Sequence, residues 1–177
     1  RSREQAPRPV PAGLGLSDNS TIVPADYVEG ADTGYRWYAA REQRPLFPFG
    51  YGLSYTSFAY DRLILRASAE GITASFTVRN TGASKGADAP QLYLLSRAGK
   101  KTLRLAGFQK LTLLPGESRT ISLNVDQRIV GAWNNGHWEL DGGEYVFAVG
   151  HSAEDMGPSA TLRIKASKLP GNSASKR

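Results

Sequence analysis

The side chains with the most chemical potential are six acids, Asp61, Asp88, Glu117, Asp126, Asp141 and Glu144, and two histidines, His137 and His151. Carboxyl groups facing one another across a bond, one with a raised pKa, are what hydrolysis of a glycosidic linkage requires. These acids instead fall at turns and at the ends of alternating segments, where a carboxylate is solvated or bonded to nearby backbone N–H groups. Neither histidine has cysteine or an acidic cluster at ligand spacing, so neither a metal site nor a cofactor is expected. Ser17-Asp18 and Ser152 lack the strand–turn–helix context of a nucleophile elbow. No glycine loop opens a helix with a lysine, so no phosphate cradle is expected. The expected sets of catalytic, substrate-binding and metal-binding residues are all empty.

Two aromatic stretches carry the remaining options. In Trp133-Asn134-Asn135-Gly136-His137-Trp138 the indole faces could stack on a pyranose ring, or both rings could cover an open end of the fold; the covering role is expected. Tyr27, Tyr35, Trp37 and Tyr38 pose the same choice, and packing against a neighbouring domain is expected. Residues 47–58 place five aromatics in twelve positions, with Gly50 and Gly52 letting the backbone pass close to another surface. That stretch reads as a joint between two bodies.

The elements that must position these residues change at the joint. Ahead of it, residues 1–26 hold Pro7, Pro9, Pro11 and Pro24, which read as an extended strap. Asn19-Ser20-Thr21 is a formal sequon that reads as a polar turn. A short helix is predicted within residues 27–41, with Asp32 or Thr33 near its start and Tyr35, Tyr38 and Ala39 on one face, ended by Arg44-Pro45. Beyond Tyr55 the period becomes two. Strands are predicted from Phe58, Tyr60, Arg62 and Ile64 with Leu63 and Leu65; from Ile72, Ala74, Phe76 and Val78; and from residues 91–95 after Pro90. Residues 97–101 read as a polar hairpin loop, residues 103–111 as further strand, and Leu114-Pro115-Gly116-Glu117 as a turn. Ile121, Leu123 and Val125 alternate again. Residues 131–137 look irregular, and Trp138 to Leu140, residues 145–149, and Leu162 to Ile164 complete the set.

About seven short strands with turn residues between them indicate a mainly β fold, an immunoglobulin-like antiparallel β-sandwich preceded by an extended linker with a short helix. Leu140 followed by Asp141-Gly142-Gly143 and then Tyr145 reads as a tyrosine corner, the hydroxyl bonding back to the preceding loop. The expected layout is residues 1–50 as strap and linker, 51–167 as sandwich and 168–177 as a basic flexible tail.

The chain has 177 residues, a formal charge of +6 and no cysteine. Residues 1–50 hold six arginines and six acids, whereas Arg163, Lys165, Lys168, Lys176 and Arg177 stand without an acid. Charge confined to an aromatic-free tail does not make a nucleic-acid surface. No apolar run is long enough for a membrane span. No signal peptide follows Arg1, and one could have been removed or belong upstream. Neither a nucleic-acid nor a membrane partner is expected. The expected location is periplasmic or secreted, with which the lack of disulfides is compatible.

With these residues in view, the order of segments resembles the C-terminal part of family 3 glycoside hydrolases of the β-glucosidase type. Arg1-Ser-Arg-Glu-Gln-Ala-Pro-Arg-Pro9 is similar to the strap leaving that family's α/β-sandwich domain, and Tyr27-Val-Glu-Gly30 with Gly34-Tyr-Arg-Trp-Tyr38 to its next element. Leu46-Phe-Pro-Phe-Gly-Tyr-Gly-Leu-Ser-Tyr-Thr56 is the most specific match. Leu105-Ala-Gly-Phe-Gln-Lys110, Leu114-Pro-Gly-Glu-Ser118 and Gly143-Glu-Tyr-Val-Phe-Ala-Val-Gly150 follow in the family's order. The resemblance covers about residues 1–155 and implies a fibronectin type III-like domain. It further implies that the nucleophilic Asp and the acid/base Glu belong to barrel and α/β domains preceding Arg1. The implied partners are that upstream catalytic portion of the same enzyme and, through it, a β-glucoside. The piece alone is expected to be inert. A β-xylosidase parent, or a free carbohydrate-binding or adhesion module using Trp133 and Trp138, stands as an alternative.

Overall fold

The computed structural model describes residues 30–68 and 71–169. The expected strap over residues 1–26, the sequon, Tyr27 and the tail from residue 170 lie outside them. The chain divides into two units, with the boundary between Phe47 and Pro48, and among the described residues no helix is long and apolar enough to cross a membrane.

In the first unit the predicted helix is α1, Tyr35–Ala40, preceded by Gly34 at φ 62°. Asp32 pairs with Arg36 one turn on, and the Arg36 guanidinium also donates to the Ala31 carbonyl at 2.7 Å. Trp37 departs from expectation. Instead of awaiting a neighbour it is already buried, with the Arg41 guanidinium 4.0 Å above its ring, as a cation over an indole face should sit. Tyr35 and Tyr38 are half-buried.

The second unit is the sandwich. Its strands are β1 (Phe58–Ser68), β2 (Gly71–Asn80), β3 (Gly86–Asp88), β4 (Gln91–Arg97), β5 (Lys100–Phe108), β6 (Leu111–Leu113), β7 (Ser118–Val125), β8 (Ala132–Asn134), β9 (His137–Leu140), β10 (Gly143–Gly150), β11 (Met156–Ile164) and β12 (Ser167–Lys168). A short helix, α2 (Gln127–Val130), follows β7. The main sheets run β1-β2-β7 and β11-β10-β4-β5, and every pairing is antiparallel. Phe76, Val78 and Ile121 from one sheet meet Leu92, Leu94, Tyr145, Phe147 and Val149 from the other in one buried cluster. The polar positions of β2 and β7 face outward as a ladder, Thr73 with Asn124, Ser75 with Ser122 and Thr77 with Thr120.

Four expectations change. First, the period-two alternation of Phe58, Tyr60, Arg62 and Ile64 does not run unbroken through β1, and Ile64 is exposed. A bulge between Asp61 and Ile64, with Arg62 at φ 57°, adds one residue, so Phe58 and Tyr60 point inward before it and Leu63 and Leu65 after it. Second, the loop over residues 97–101 shrinks to Ala98-Gly99, at φ 48° and 81°, because Arg97 pairs with Lys100. Third, residues 131–137 are not irregular. They contain the hairpin of β8 and β9, turned by Asn135-Gly136 at φ 46° and 83°. Fourth, Lys168 is not part of a frayed end, since β12 pairs with β9 and the Leu169 N–H donates to the Trp138 carbonyl at 2.9 Å. The tyrosine corner forms as expected, with the Tyr145 hydroxyl donating to the Asp141 carbonyl at 2.9 Å.

Candidate functional site

Residues 48–57 run onto the sandwich before β1 begins, and two buried side-chain amides hold them. At one end Gln91, the first residue of β4, donates from Nε2 to the His151 carbonyl at 2.8 Å and the Gly50 carbonyl at 3.4 Å. Its Oε1 accepts from the Tyr93 hydroxyl at 2.5 Å. Gly50 has φ 84°, and a Cβ there would lie 2.6 Å from Gln91 Cδ, so the close approach requires glycine. Beside it the Ala153 N–H donates to the Phe49 carbonyl at 2.9 Å.

At the other end Asn80, the last residue of β2, accepts at Oδ1 from the Thr56 hydroxyl at 2.7 Å and the Gly82 N–H at 3.1 Å. Its Nδ2 donates to the Ser84 and Leu113 carbonyls at 2.8 and 3.1 Å. The Thr81 N–H donates to the Ser57 carbonyl at 2.8 Å. Between the two anchors residues 51–55 are exposed: Tyr51 is 52% accessible, Leu53 90% and Tyr55 101%. No charged residue occurs from Pro45 to Tyr60. The joint expected from composition is therefore a tethered segment offering large apolar side chains outward.

A cleft of about 740 Å³ lies along this segment, lined among others by Gly52, Ser54, Asp88, Lys110, His151 and Asp155. At its wall Tyr60 from β1 bridges Asp88 and His151, at 2.7 Å to Oδ2 and 2.6 Å to Nδ1. A phenol has one proton, so Tyr60 donates to the carboxylate and the His151 Nδ1–H donates back to the phenol oxygen. Burial first, then the hydrogen bond and charge of Asp88, push the Tyr60 hydroxyl far above the ordinary phenol range. A phenol so disfavoured as an anion is a clamp between three segments, not a nucleophile.

Five of the remaining acids are tied into local structure: Glu117, Asp126, Asp141, Asp61 and Glu139. Glu117 is held below the usual carboxylate range by the Leu114 N–H and then Arg119. Asp126 caps α2, lowered chiefly by the Arg128 N–H. Asp141 lies 3.2 Å from the Arg97 guanidinium. Asp61 accepts from the Arg62 N–H at 2.8 Å beside the bulge, and Glu144 is exposed on β10. Glu139 is lowered by Asn134 and then His137. Among the described residues no three His, Asp or Glu side chains converge as metal ligands would. Ser152 accepts at Oγ from the Glu154 and Asp155 N–H groups, at 3.3 and 3.1 Å, and so shapes a turn.

Trp133 and Trp138 are directly paired across β8 and β9, edge to face with centroids 5.6 Å apart. Trp133 is 61% exposed, yet Asn134, His137 and Glu139 occupy the alternate positions and bond among themselves. The hairpin thus separates its indoles from the polar groups that a sugar's hydroxyls would need.

Sequence reasoning located the aromatic stretch of residues 47–58 but not the two amides that tether it. Asn80-Thr81-Gly82 has the composition of a turn, which hides the role of the Asn80 amide. Gln91 carried one signal, an amide heading the apolar run of residues 92–95. Tyr60, Asp88 and His151 lie 28 and 91 residues apart along the chain, beyond any local pattern.

Residues 88–153 match the fibronectin type III-like domain family. Over 148 residues the chain is 33% identical to a thermostable β-glucosidase B of Acetivibrio thermocellus, covering 78% of this chain and 20% of that protein. It is 32% identical over 146 residues to an exo-α-(1→6)-L-arabinopyranosidase of Bifidobacterium breve, covering 79% of this chain and 19% of that protein. The crystal structure of a family 3 β-glucosidase from Bifidobacterium adolescentis superposes with a TM-score of 0.73 at 32% identity, over 85% of this chain and 23% of that one. The chain thus spans about a fifth of the length of the relatives it matches. With the sandwich, the tyrosine corner and the tethered uncharged segment all in place, the chain belongs to the β-glucosidase-type family 3 glycoside hydrolases, as the portion that holds their fibronectin type III-like domain.

Proposed function

We propose that this chain is the C-terminal, non-catalytic portion of a retaining, exo-acting β-glucosidase that removes terminal non-reducing β-D-glucosyl residues, working in the periplasm or outside the cell. Its role is to brace the barrel and α/β domains that carry the nucleophilic Asp and the acid/base Glu. Those two groups would form a glycosyl-enzyme and release it to water. The observation that carries this reading is the match to about one fifth of β-glucosidases, centred on a sandwich.

The electrostatics support it. A general acid in such an enzyme needs a raised pKa, whereas Glu117, Asp126 and Glu139 are all shifted downward by hydrogen bonds. The arabinopyranosidase relative matches as much of the chain as the β-glucosidase does. A portion common to both relatives favours neither sugar, and a β-xylosidase parent stays the alternative reading.

The test compares the 177-residue chain with the whole polypeptide on an aryl β-glucoside. The chain alone is expected to release nothing above background, and the whole polypeptide to turn over. Hydrolysis by the chain alone would overturn the assignment of catalysis to another part.

A further inference from the structure

We propose that residues 50–56 are a preformed docking ridge for an apolar face of the preceding part of the same polypeptide, and that Gln91 and Asn80 act as positioning residues that hold it in shape. This rests on reading the chain as one portion of a longer enzyme. The occupant follows from three observations. The matched relatives are about five times longer, so most of such a polypeptide lies elsewhere. The run from Pro45 to Tyr60 carries no charge, and of its large apolar side chains Leu53 and Tyr55 are the most exposed, which is the composition of an interface core. Finally, the segment is not a loose loop. Gln91 at Gly50 and Asn80 at Thr56 fix both ends, and the Phe49 and Ser57 carbonyls are bonded just outside them. Holding a contact segment in its bound shape removes part of the ordering cost of association.

The two roles are separable by mutation. Leu53→Ala and Tyr55→Ala remove contact groups and touch neither anchor. Gly50→Ala forces a Cβ against Gln91, and Thr56→Val removes the hydroxyl that Asn80 accepts from. Leu53 and Tyr55 lie outside the sandwich core, so an unchanged melting temperature is their folding control. Gly50→Ala and Thr56→Val act on the buried Gln91 and Asn80 amides and are expected to lower it, so retained β-sheet circular dichroism is their control.

The experiment titrates the separately produced preceding portion with the chain, read by calorimetry. Leu53→Ala and Tyr55→Ala are each expected to weaken association about tenfold or more, as central anchors do. Gly50→Ala with Thr56→Val should weaken it less, by about three- to tenfold, and should shrink the effect of Tyr55→Ala measured in that background, because an untethered ridge has already lost part of the contact. Association unchanged within twofold by Leu53→Ala and Tyr55→Ala overturns the proposal. If the separate portions do not associate, the same substitutions go into the whole polypeptide, where they should split one melting transition into two; an unsplit transition overturns the proposal. Glucosidase activity of the whole polypeptide is scored independently. An active enzyme indifferent to the four substitutions refutes the ridge alone, and an inactive one with a normal ridge response refutes the functional reading alone.

Discussion

Asn80 offers the sharpest test of how the sandwich is held, because its side chain is 0% exposed and all four hydrogen-bonding positions of the carboxamide are used. Replacing it with alanine deletes four hydrogen bonds, each contributing about 0.5–1.5 kcal/mol net, and strands the buried Leu113 carbonyl at about 1–3 kcal/mol. Water can reach the partly buried partners and offset some of this, so the expected loss is about 3–5 kcal/mol. For a domain of this size that corresponds to a fall in Tm of roughly 10–20 °C.

Asn80→Asp sharpens the test. It keeps the shape but turns the two donors toward Ser84 and Leu113 into a carboxylate facing two carbonyl oxygens. The charged form is disfavoured on folding, so the folded pKa rises above the unfolded value of about 3.9. A raised carboxyl pKa means the variant is least impaired below pH about 4 and loses stability as pH climbs through its folded pKa. Urea unfolding followed by circular dichroism at several pH values measures both effects. A cost below about 1 kcal/mol for the alanine variant, or a pH-independent cost for the aspartate variant, would refute the reasoning from satisfied valences.

Two further outcomes follow from the same geometry. Tyr145→Phe removes only the hydroxyl bond to the Asp141 carbonyl, so a loss of about 1 kcal/mol is expected from chemical denaturation; no loss would mean that the corner contributes nothing to stability. Glu117 is held below its ordinary pKa of 4.5 by the Leu114 N–H and Arg119. Its contribution is therefore present above that value and lost as pH falls through the lower folded pKa. Melting curves of wild type and Glu117→Gln should converge on acidification below about pH 4.5, and a gap constant with pH would count against the assignment.

The sequence by itself determined the fold class, because the relevant signals are local. Ile72, Ala74, Phe76 and Val78 alternate with polar residues, Leu114-Pro115-Gly116-Glu117 turns the chain, and Tyr145 follows Asp141 closely enough for its hydroxyl to reach back. The uncharged run from Pro45 to Tyr60 was equally legible, since composition needs no coordinates. Only the tertiary structure decided which face Ile64 takes, because an inserted residue at Arg62 reverses the alternation without changing its period. The same holds for Gln91 at Gly50, Asn80 at Thr56 and His151 at Tyr60. Hydrogen bonds between residues 24 to 91 positions apart depend on how the two sheets close on one another, and no pattern along the chain records that.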